Sequence, residues 1–551
     1  MAADRPIATR GRAVLDALAH KAGGVKVLAD AGIVRPVRPD KLVGVVSTLK
    51  HWGRGPASGY ITSGLLCPDT TAIVDERGSL SFGELDRSTN ALANSLAAAG
   101  VGAGDGVGIM CRNHRGFIEA TVATAKLGAD VLYLNTAFAG PQLVEVVERE
   151  GPSALIYDEE FSGLLEHAGA DRSCFIAWCD SDDVSAPTLD ELIAAGSDEL
   201  PPVPDRVGRT VILTSGTTGS PKGANRSSPT SLDPAISLLS KIPLKRGQTT
   251  QIAAPLFHSW GFAHFTIGLM LNSTLVLHRR FDPEASLAAI ARSRADSLVV
   301  VPVMMQRILN LPEETRSKYD TSSLSIVAAS GSALPGDLAT EWMDAYGDTL
   351  YNLYGSTEVA WATIASPDEM RAAPGTAGTP PRGTVVRLYD EQGRPVPRGE
   401  TGRIFVGHEF LFEGYTGGGT KDEIDGLMAT GDVGRFDAGG RLFVEGRDDE
   451  MIVSGGENVF PKEVEDLLAR HEAVAEAAAL GVPDDEFGQR LLGFVVRKPG
   501  ADVGEDELKT HVKQNLAHYK VPREIRFLDE LPRNATGKVL KRELKETVSE
   551  G

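Results

Sequence analysis

Short apolar runs recur along this chain with a helix-patterned stretch between them, and that rhythm restricts the fold more than any single residue does. VGIMC (107–111) is followed by an amphipathic stretch from Phe117 to Leu127 and then by VLYLN (131–135). Strand-like runs separated by a helix cannot close as a hairpin; they pair in parallel while the helix crosses one face of the sheet. TAIVD (71–75) reads as a further strand. Ser81 and Glu84 form a capping-box signal opening a helix with Leu85, Leu92 and Leu96 on one face and Gly100 as its stop. The same rhythm runs through VVVPV (299–303) and SIVAAS (325–330). The expected class is α/β, with sheets covered by helices.

The pattern shifts twice toward the C-terminus. From Ala377 to Val444 it consists of short strands with Gly and Pro turns, a β-rich subdomain. Beyond Gly446 a helix from Pro461 to Arg470, strands near 475–482 and 491–497, and a charged helix over 505–516 make a compact α+β unit. A chain of 551 residues exceeds one core. We place the boundary in GRDDE (446–450), giving an N-terminal extension (1–54), a large domain (55–446) and a small domain (447–551).

A net charge of −19 repels nucleic acid. No run of about 18 apolar residues is present to span a bilayer, and MAADRPIATRGR has no apolar segment of a secretory signal. Four cysteines make no disulfide framework, and Cys174 and Cys179 lack the neighbours of a zinc site, so free thiols in a reduced cytosol are expected. The first 54 residues differ, with ten Lys or Arg against four Asp or Glu, and with Val14, Leu15 and Leu18 at helical spacing. This segment suits a helical cap on the large domain, and its basic amphipathic pattern also allows peripheral membrane contact.

Chemistry concentrates in a few short motifs. TSGTTGSPKG (214–223) leaves the apolar run VIL (211–213), so it departs from a strand end. Gly216, Gly219 and Gly223 let backbone N–H groups turn toward an anion; Thr214, Ser215, Thr217 and Thr218 add hydroxyl donors, and Lys222 adds charge. This suits a polyphosphate, although such a loop also serves as a surface linker. Pro221 before the lysine and Gly223 after it disfavour a Walker A loop. In YGSTE (354–358), Tyr354 offers a face for adenine, Gly355 a close approach, Thr357 a hydroxyl for phosphate and Glu358 a carboxylate for Mg²⁺. In TGD (430–432), Asp432 can accept both hydroxyls of a ribose, and Arg447 follows fifteen residues later.

Taken in order, the loop at 214, YGSTE, TGD, the Gly-Arg at 446–447, SGGENVFP (454–461) and NATGK (534–538) resemble the core motifs of the adenylate-forming superfamily of acyl-CoA synthetases and their relatives. The resemblance runs from about Ala72 to Leu544. It implies a two-step ligase using ATP, Mg²⁺ and coenzyme A: a carboxylate attacks the α-phosphorus of ATP, and a thiol then displaces AMP. By this resemblance Thr214 to Lys222 hold the β- and γ-phosphates, Glu358 binds Mg²⁺ and Thr357 touches the α-phosphate. Asp432 and Arg447 hold the ribose. Adenine lies between Tyr354 and SGSAL (330–334), which includes Gly331, Ser332 and Ala333, with Asn352 facing its amino group. Lys538 reaches the carboxylate and α-phosphate. The small domain is mobile about Asp449, and its swing brings Ser454 to Glu457, with Gly455 and Gly456, to the site for thiolation.

PLFHSWG (255–261) matches the stretch that gates the acyl tunnel in the family, making His258 the gate candidate; a core histidine satisfied by backbone is the alternative. No Asp occurs between Gln251 and Asn272 to bind an ammonium, which implies an acid without positive charge. Val301 to Met305 and Gly331 to Ala333 are expected to line the tunnel, Met304 and Met305 adapting to an alkyl chain. The expected reaction is therefore CoA ligation of a medium- to long-chain fatty acid in the cytoplasm. The alternatives are a fatty acyl-AMP ligase loading a carrier protein, an aryl-acid CoA ligase, and a catalytically inactive acyl or nucleotide sensor. Oligomeric state is left open.

Overall fold

The computed structural model describes residues 22–166, 168, 171–181, 184–213, 222–450, 452–454, 457–484, 488–534 and 537–549. Two largely parallel sheets form the large N-terminal part. One has the strand order Ser173–Trp178, Ala154–Asp158, Gly106–Met110, Asp130–Tyr133, Thr210–Leu213 and Gly223–Arg226, parallel except for the last pair. The other runs Thr363–Ala365, Leu350–Tyr354, Ile326–Ala329, Ser297–Val300, Thr249–Ile252, Thr274–Leu277, Thr71–Asp75 and Gly78–Ser81, with antiparallel pairs at its two edges.

The parallel strands are buried on both faces, which is why they read as continuous apolar runs. The capping box forms as expected: Ser81 Oγ accepts from the Glu84 N–H, the Glu84 carboxylate accepts from the Ser81 N–H, and the helix Phe82–Ala98 buries Leu85, Leu92 and Leu96. It stops before Gly100, whose φ of 94° suits glycine. The helix Arg115–Lys126 crosses between Gly106–Met110 and Asp130–Tyr133.

One expected run divides. The strand ends at Val300, and Pro302 opens the helix Pro302–Leu309, because a proline that cannot donate to a ladder is well placed at a helix start. Helical spacing then turns Val301, Met304, Met305 and Ile308 into the core, where Met305 is fully buried. Met304 and Met305 therefore pack the interior instead of lining an acyl tunnel.

A five-stranded antiparallel sheet follows, built from Val385–Tyr389, Gly402–Gly407, Glu423–Ile424, Leu427–Phe436 and Leu442–Arg447. The small C-terminal part has a second five-stranded sheet, Ile452–Ser454, Glu457–Val459, Val474–Asp484, Gly488–Arg497 and Glu524–Leu528, with the helices Pro461–Ala469 and Glu505–Asn515 on its core. Near the N-terminus the helix Pro39–Trp52 packs on Pro56–Leu66, with Lys41 Nζ donating to the Leu65 and Leu66 carbonyls at the latter's end. Among the described residues, no helix is long and apolar enough to cross a membrane.

Candidate active site

The last two antiparallel strands of the β-rich sheet explain a spacing that the sequence leaves abstract. Leu427–Phe436 and Leu442–Arg447 pair so that Asp432 stands opposite Arg447, and the fourteen residues between them are the turn and return of the hairpin. Arg447 Nε lies 3.8 Å from Asp432 Oδ1. On the other side, Tyr354, at the end of a strand in the neighbouring parallel sheet, donates its hydroxyl to Asp432 Oδ2 at 2.6 Å and to Thr430 Oγ1 at 3.2 Å. Burial raises the Asp432 pKa, opposed by the Tyr354 hydrogen bond and by Arg447, Lys538 and Lys421. One carboxylate oxygen is thus engaged by a phenol and the other faces cations, leaving acceptor capacity for a diol.

Lys538 arrives from the small domain. The Lys538 N–H donates to Asn534 Oδ1 and the Asn534 N–H to the Lys538 carbonyl, both at 2.9 Å, closing a tight turn around Gly537. Burial lowers the Lys538 pKa, and the positive Arg447 adds to this, while Glu450 and Asp432 oppose it. Gly537 has φ 78°, and a Cβ there would lie 2.5 Å from Val303 Cγ1, so the turn rests directly on the large domain. Three residues further on, Lys541 bridges Glu450 at 2.8 Å and Glu465 at 2.9 Å; burial alone would depress its pKa, but the two carboxylates outweigh it and raise it.

Glu358 is 8% exposed. Its two oxygens accept from the hydroxyls of Ser356 and Tyr415, each at 2.8 Å. Each oxygen retains a lone pair, and a hard carboxylate of this kind fits Mg²⁺. Gly355 is required sterically, since a Cβ there would approach the Ala360 carbonyl oxygen to 2.2 Å. Ala360 itself has φ 57°, a left-handed conformation that costs a non-glycine residue about 1 kcal/mol or more. Lys222 Nζ sits 5.2 Å from the centre of the Tyr415 ring, whose hydroxyl bonds Glu358.

Asn352 is buried, and its Oδ1 has no hydrogen-bond partner among the described residues. Such an orphaned acceptor calls for a donor from a ligand, and an adenine amino group supplies one. Gly331, with φ 96°, opens the facing SGSAL turn, whose Ser330 hydroxyl donates to the Leu353 carbonyl at 2.8 Å. Gly331, Ser332, Ala333, Asn352, Tyr354, Gly355, Thr357, Glu358, Asp432, Arg447 and Lys538 line one continuous cleft, together with His258 and Lys222. Thr214, Ser215, Gly216, Thr217, Thr218, Gly219, Gly455 and Gly456 lie outside the described residues, as do the side chains of Asp449 and Glu457.

His258 precedes the helix Ser259–Met270, and its N–H donates to the Pro255 carbonyl at 3.1 Å. Burial lowers its pKa to about 4, so the imidazole is neutral, and Nε2 has no partner among the described residues. Backbone therefore does not satisfy this ring nitrogen. Beyond it, Phe262 and Trp361 line the cleft. Trp361 lies flat on His408, with ring centres 4.5 Å apart at 9°, and its Nε1 donates to Thr384 Oγ1 at 2.9 Å, so the indole is held in one orientation.

Arg226 is the residue that motif reading misses. It follows the phosphate-type loop on the strand Gly223–Arg226 and turns its guanidinium under YGSTE. Nη2 donates to the carbonyls of Thr357 at 2.9 Å and Glu358 at 3.3 Å, and the group stacks 4.5 Å from the Phe410 ring centre. Burial pushes its pKa down to about 10, with Glu358 and Glu413 opposing. Its only sequence signal is alternation: Arg226 falls two positions after Ala224 on a strand, so it shares the inward face.

The family model of AMP-binding enzymes matches residues 65–416, and that of the AMP-binding enzyme C-terminal domain matches residues 463–538. The chain is 34% identical over 500 residues to a feruloyl-CoA synthase from Amycolatopsis sp, covering 89% of this chain and 99% of that one. It is 32% identical over 497 residues to a 3-[(3aS,4S,7aS)-7a-methyl-1,5-dioxo-octahydro-1H-inden-4-yl]propanoyl:CoA ligase of Mycobacterium tuberculosis, covering 87% and 96%. Among solved structures, o-succinylbenzoate CoA synthetase of Bacillus subtilis with its acyl-adenylate intermediate superposes with a TM-score of 0.77 at 28% identity, covering 88% of this chain and 97% of that one. The ordered motifs, the two-part fold and these matches lead to one conclusion: the chain belongs to the AMP-binding enzymes, the adenylate-forming superfamily.

Proposed function

We propose that this protein is an acid–CoA ligase, using ATP, Mg²⁺ and coenzyme A, whose acid is aromatic or a compact fused ring. The observation that carries the ligase reading is the convergence of Lys538 from the small domain on the Asp432–Arg447 pair, in the cleft that also contains Glu358 and His258. The first step joins two anions, so it requires cations and donors aimed at the developing charge. Asp432 accepts the ribose hydroxyls, held in place by Tyr354. Asn352 receives the adenine amino group, Thr357 donates to the α-phosphate, and Lys538 bridges the incoming carboxylate oxygen and the α-phosphate as pyrophosphate leaves. Magnesium, held by Glu358, would neutralise charge on the phosphates. In the second step the thiolate sulfur attacks the acyl carbon and AMP departs. We assign the small domain to residues 447–551, turning about Asp449 between the two steps.

The flat, fixed Trp361 with Phe262 and a neutral His258 supports a planar or compact hydrophobic acid. The relatives named for ferulate and for a fused-ring propanoate agree with this. An extended alkyl acid is the second reading, favoured by the cleft's continuation along apolar Leu42, Val45 and Leu49 of the helix Pro39–Trp52. Pyrophosphate release with mass detection of products, over aryl acids, fused-ring propanoates and fatty acids of graded length, with and without CoA, tests both. Highest kcat/KM for a ring-bearing acid, with acyl-CoA as product, is expected. Preference for alkyl acids overturns the substrate reading, and acyl-AMP accumulating despite CoA overturns the acceptor.

A further inference from the structure

Exposed large apolar side chains are distributed unevenly. Of the thirteen large hydrophobics that stand out in solvent among the described residues, Val25, Val34, Leu42, Val43, Val46 and Leu49 fall within 25 residues of chain. Leu42, Val43, Val46 and Leu49 sit at helical spacing on the exposed part of the helix Pro39–Trp52, whose Thr48 and Trp52 are buried. Val43 is 70% and Val46 59% exposed. Lys50 falls on the same face near one end of the stripe, and Arg35 and Arg38 lie before the other. Arg38 is paired with Asp40 at 3.0 Å, whereas Arg35 and Lys50 are exposed. Lys41 is turned inward to the end of the next helix.

We propose that this face docks on an anionic lipid surface, laying the helix Pro39–Trp52 in the interfacial plane. Charge identifies the occupant. The first 54 residues hold ten Lys or Arg against four Asp or Glu, in a chain whose net charge is −19. An anionic surface attracts this basic end, while a second copy of the chain would set it against itself. Apolar residues at the centre with basic residues at the flanks let the valines and leucines enter the acyl boundary as the cations meet headgroups. Continuity gives the docking a purpose. Leu42, Val45 and Leu49 also line the cleft that Leu66, Met270 and His258 line. A hydrophobic acid dissolved in the lipid would enter the active-site cleft without crossing bulk water.

The test is sedimentation of the full-length protein with vesicles of phosphatidylcholine alone or with about one-third phosphatidylglycerol, in low and physiological salt. The variant is Val43→Glu/Val46→Glu, at two positions outside the cleft lining. The native chain is expected to co-sediment with the anionic vesicles, less so as salt rises. The double variant should lose at least about tenfold in bound fraction while keeping its turnover of a soluble acid and its circular dichroism. Lys50→Glu should weaken binding to anionic vesicles alone. Absence of binding by the native chain, or undiminished binding by the double variant, overturns the proposal. Light scattering that shows a dimer dissociated by the double variant assigns the face to a second copy and overturns it too.

Discussion

Replacing Arg226 by Met tests whether the strand after the phosphate-type loop holds in place the YGSTE loop to which we assign magnesium. Methionine keeps the length and apolar volume of the side chain but removes the charge and both hydrogen bonds, to the Thr357 carbonyl at 2.9 Å and the Glu358 carbonyl at 3.3 Å. Each such bond from a charged donor contributes about 1.5–3 kcal/mol, and the stacking on Phe410 about 1 kcal/mol. Against this, methionine avoids the desolvation that already depresses the arginine's pKa to about 10. The net loss of stability should therefore be small, about 1–2 kcal/mol. Catalysis should suffer more, because Ala360 is strained and only the neighbouring contacts hold the loop in that shape. A displacement of the Glu358 carboxylate costing about 2.7 kcal/mol at the transition state lowers the rate about 100-fold. The assay is pyrophosphate release against Mg²⁺ concentration, paired with thermal denaturation. Arg226→Met should raise the Mg²⁺ needed for half-maximal rate, and Arg226→Lys, which keeps charge but lacks the fork, should fall between. Unchanged Mg²⁺ dependence in a folded Arg226→Met protein would refute the positioning role.

Lys538→Ala should reduce acyl-AMP formation by at least about 100-fold and leave thiolysis of supplied acyl-AMP largely intact; equal loss in both half-reactions in separate single-turnover assays would contradict its assignment. Because burial lowers the Lys538 pKa, adenylation should fall as pH rises through a value below that of an ordinary lysine, and Lys538→Arg should move this limb upward if it retains turnover. Tyr354→Phe should raise KM for ATP more than it lowers kcat, by removing the 2.6 Å hydrogen bond that orients Asp432, as read in steady-state kinetics. Neutral burial of His258 and His408, both near pKa 4 against 6.5, and of His264, near 3, means that the unfolded chain binds more protons between pH 6.5 and 4. Their contribution, up to about 3 kcal/mol each, is present above pH 6.5 and lost as pH falls through that window. His264→Gln should flatten the fall of Tm with acid.

The α/β architecture was legible because buried parallel strands leave runs such as VGIMC and VLYLN that need no tertiary information to recognise. The capping box at Ser81 and Glu84 was likewise local. VVVPV was misleading because a strand end and a helix start share one apolar run there, and Pro302 marks the join only once the helical face of Met304, Met305 and Ile308 is seen in the core. In the candidate site, Asp432 and Arg447 were readable as types, but their apposition depends on hairpin register. Arg226 was invisible for a related reason: an arginine on a short strand looks solvated until the carbonyls it serves, more than 130 residues away, are brought above it. The aromatic wall proposed for the acid was equally non-local, since Trp361 is fixed by His408 and Thr384 from other segments. An expectation of alkyl substrates followed from reading methionines as tunnel lining.

Gly537 works as a spacer gauge. Its left-handed φ and the 2.5 Å gap between a notional Cβ and Val303 set how closely the small domain can press its lysine into the cleft. A single methyl group added there is a wedge, carrying no charge and touching no nucleotide. Such a change would hold the two halves of the molecule apart in the arrangement that places Lys538 beside Asp432 and Arg447, while leaving every charged group of the first half-reaction in the chain. On the proposed role of Lys538, acid activation would thus depend on the fit between one backbone turn and one valine.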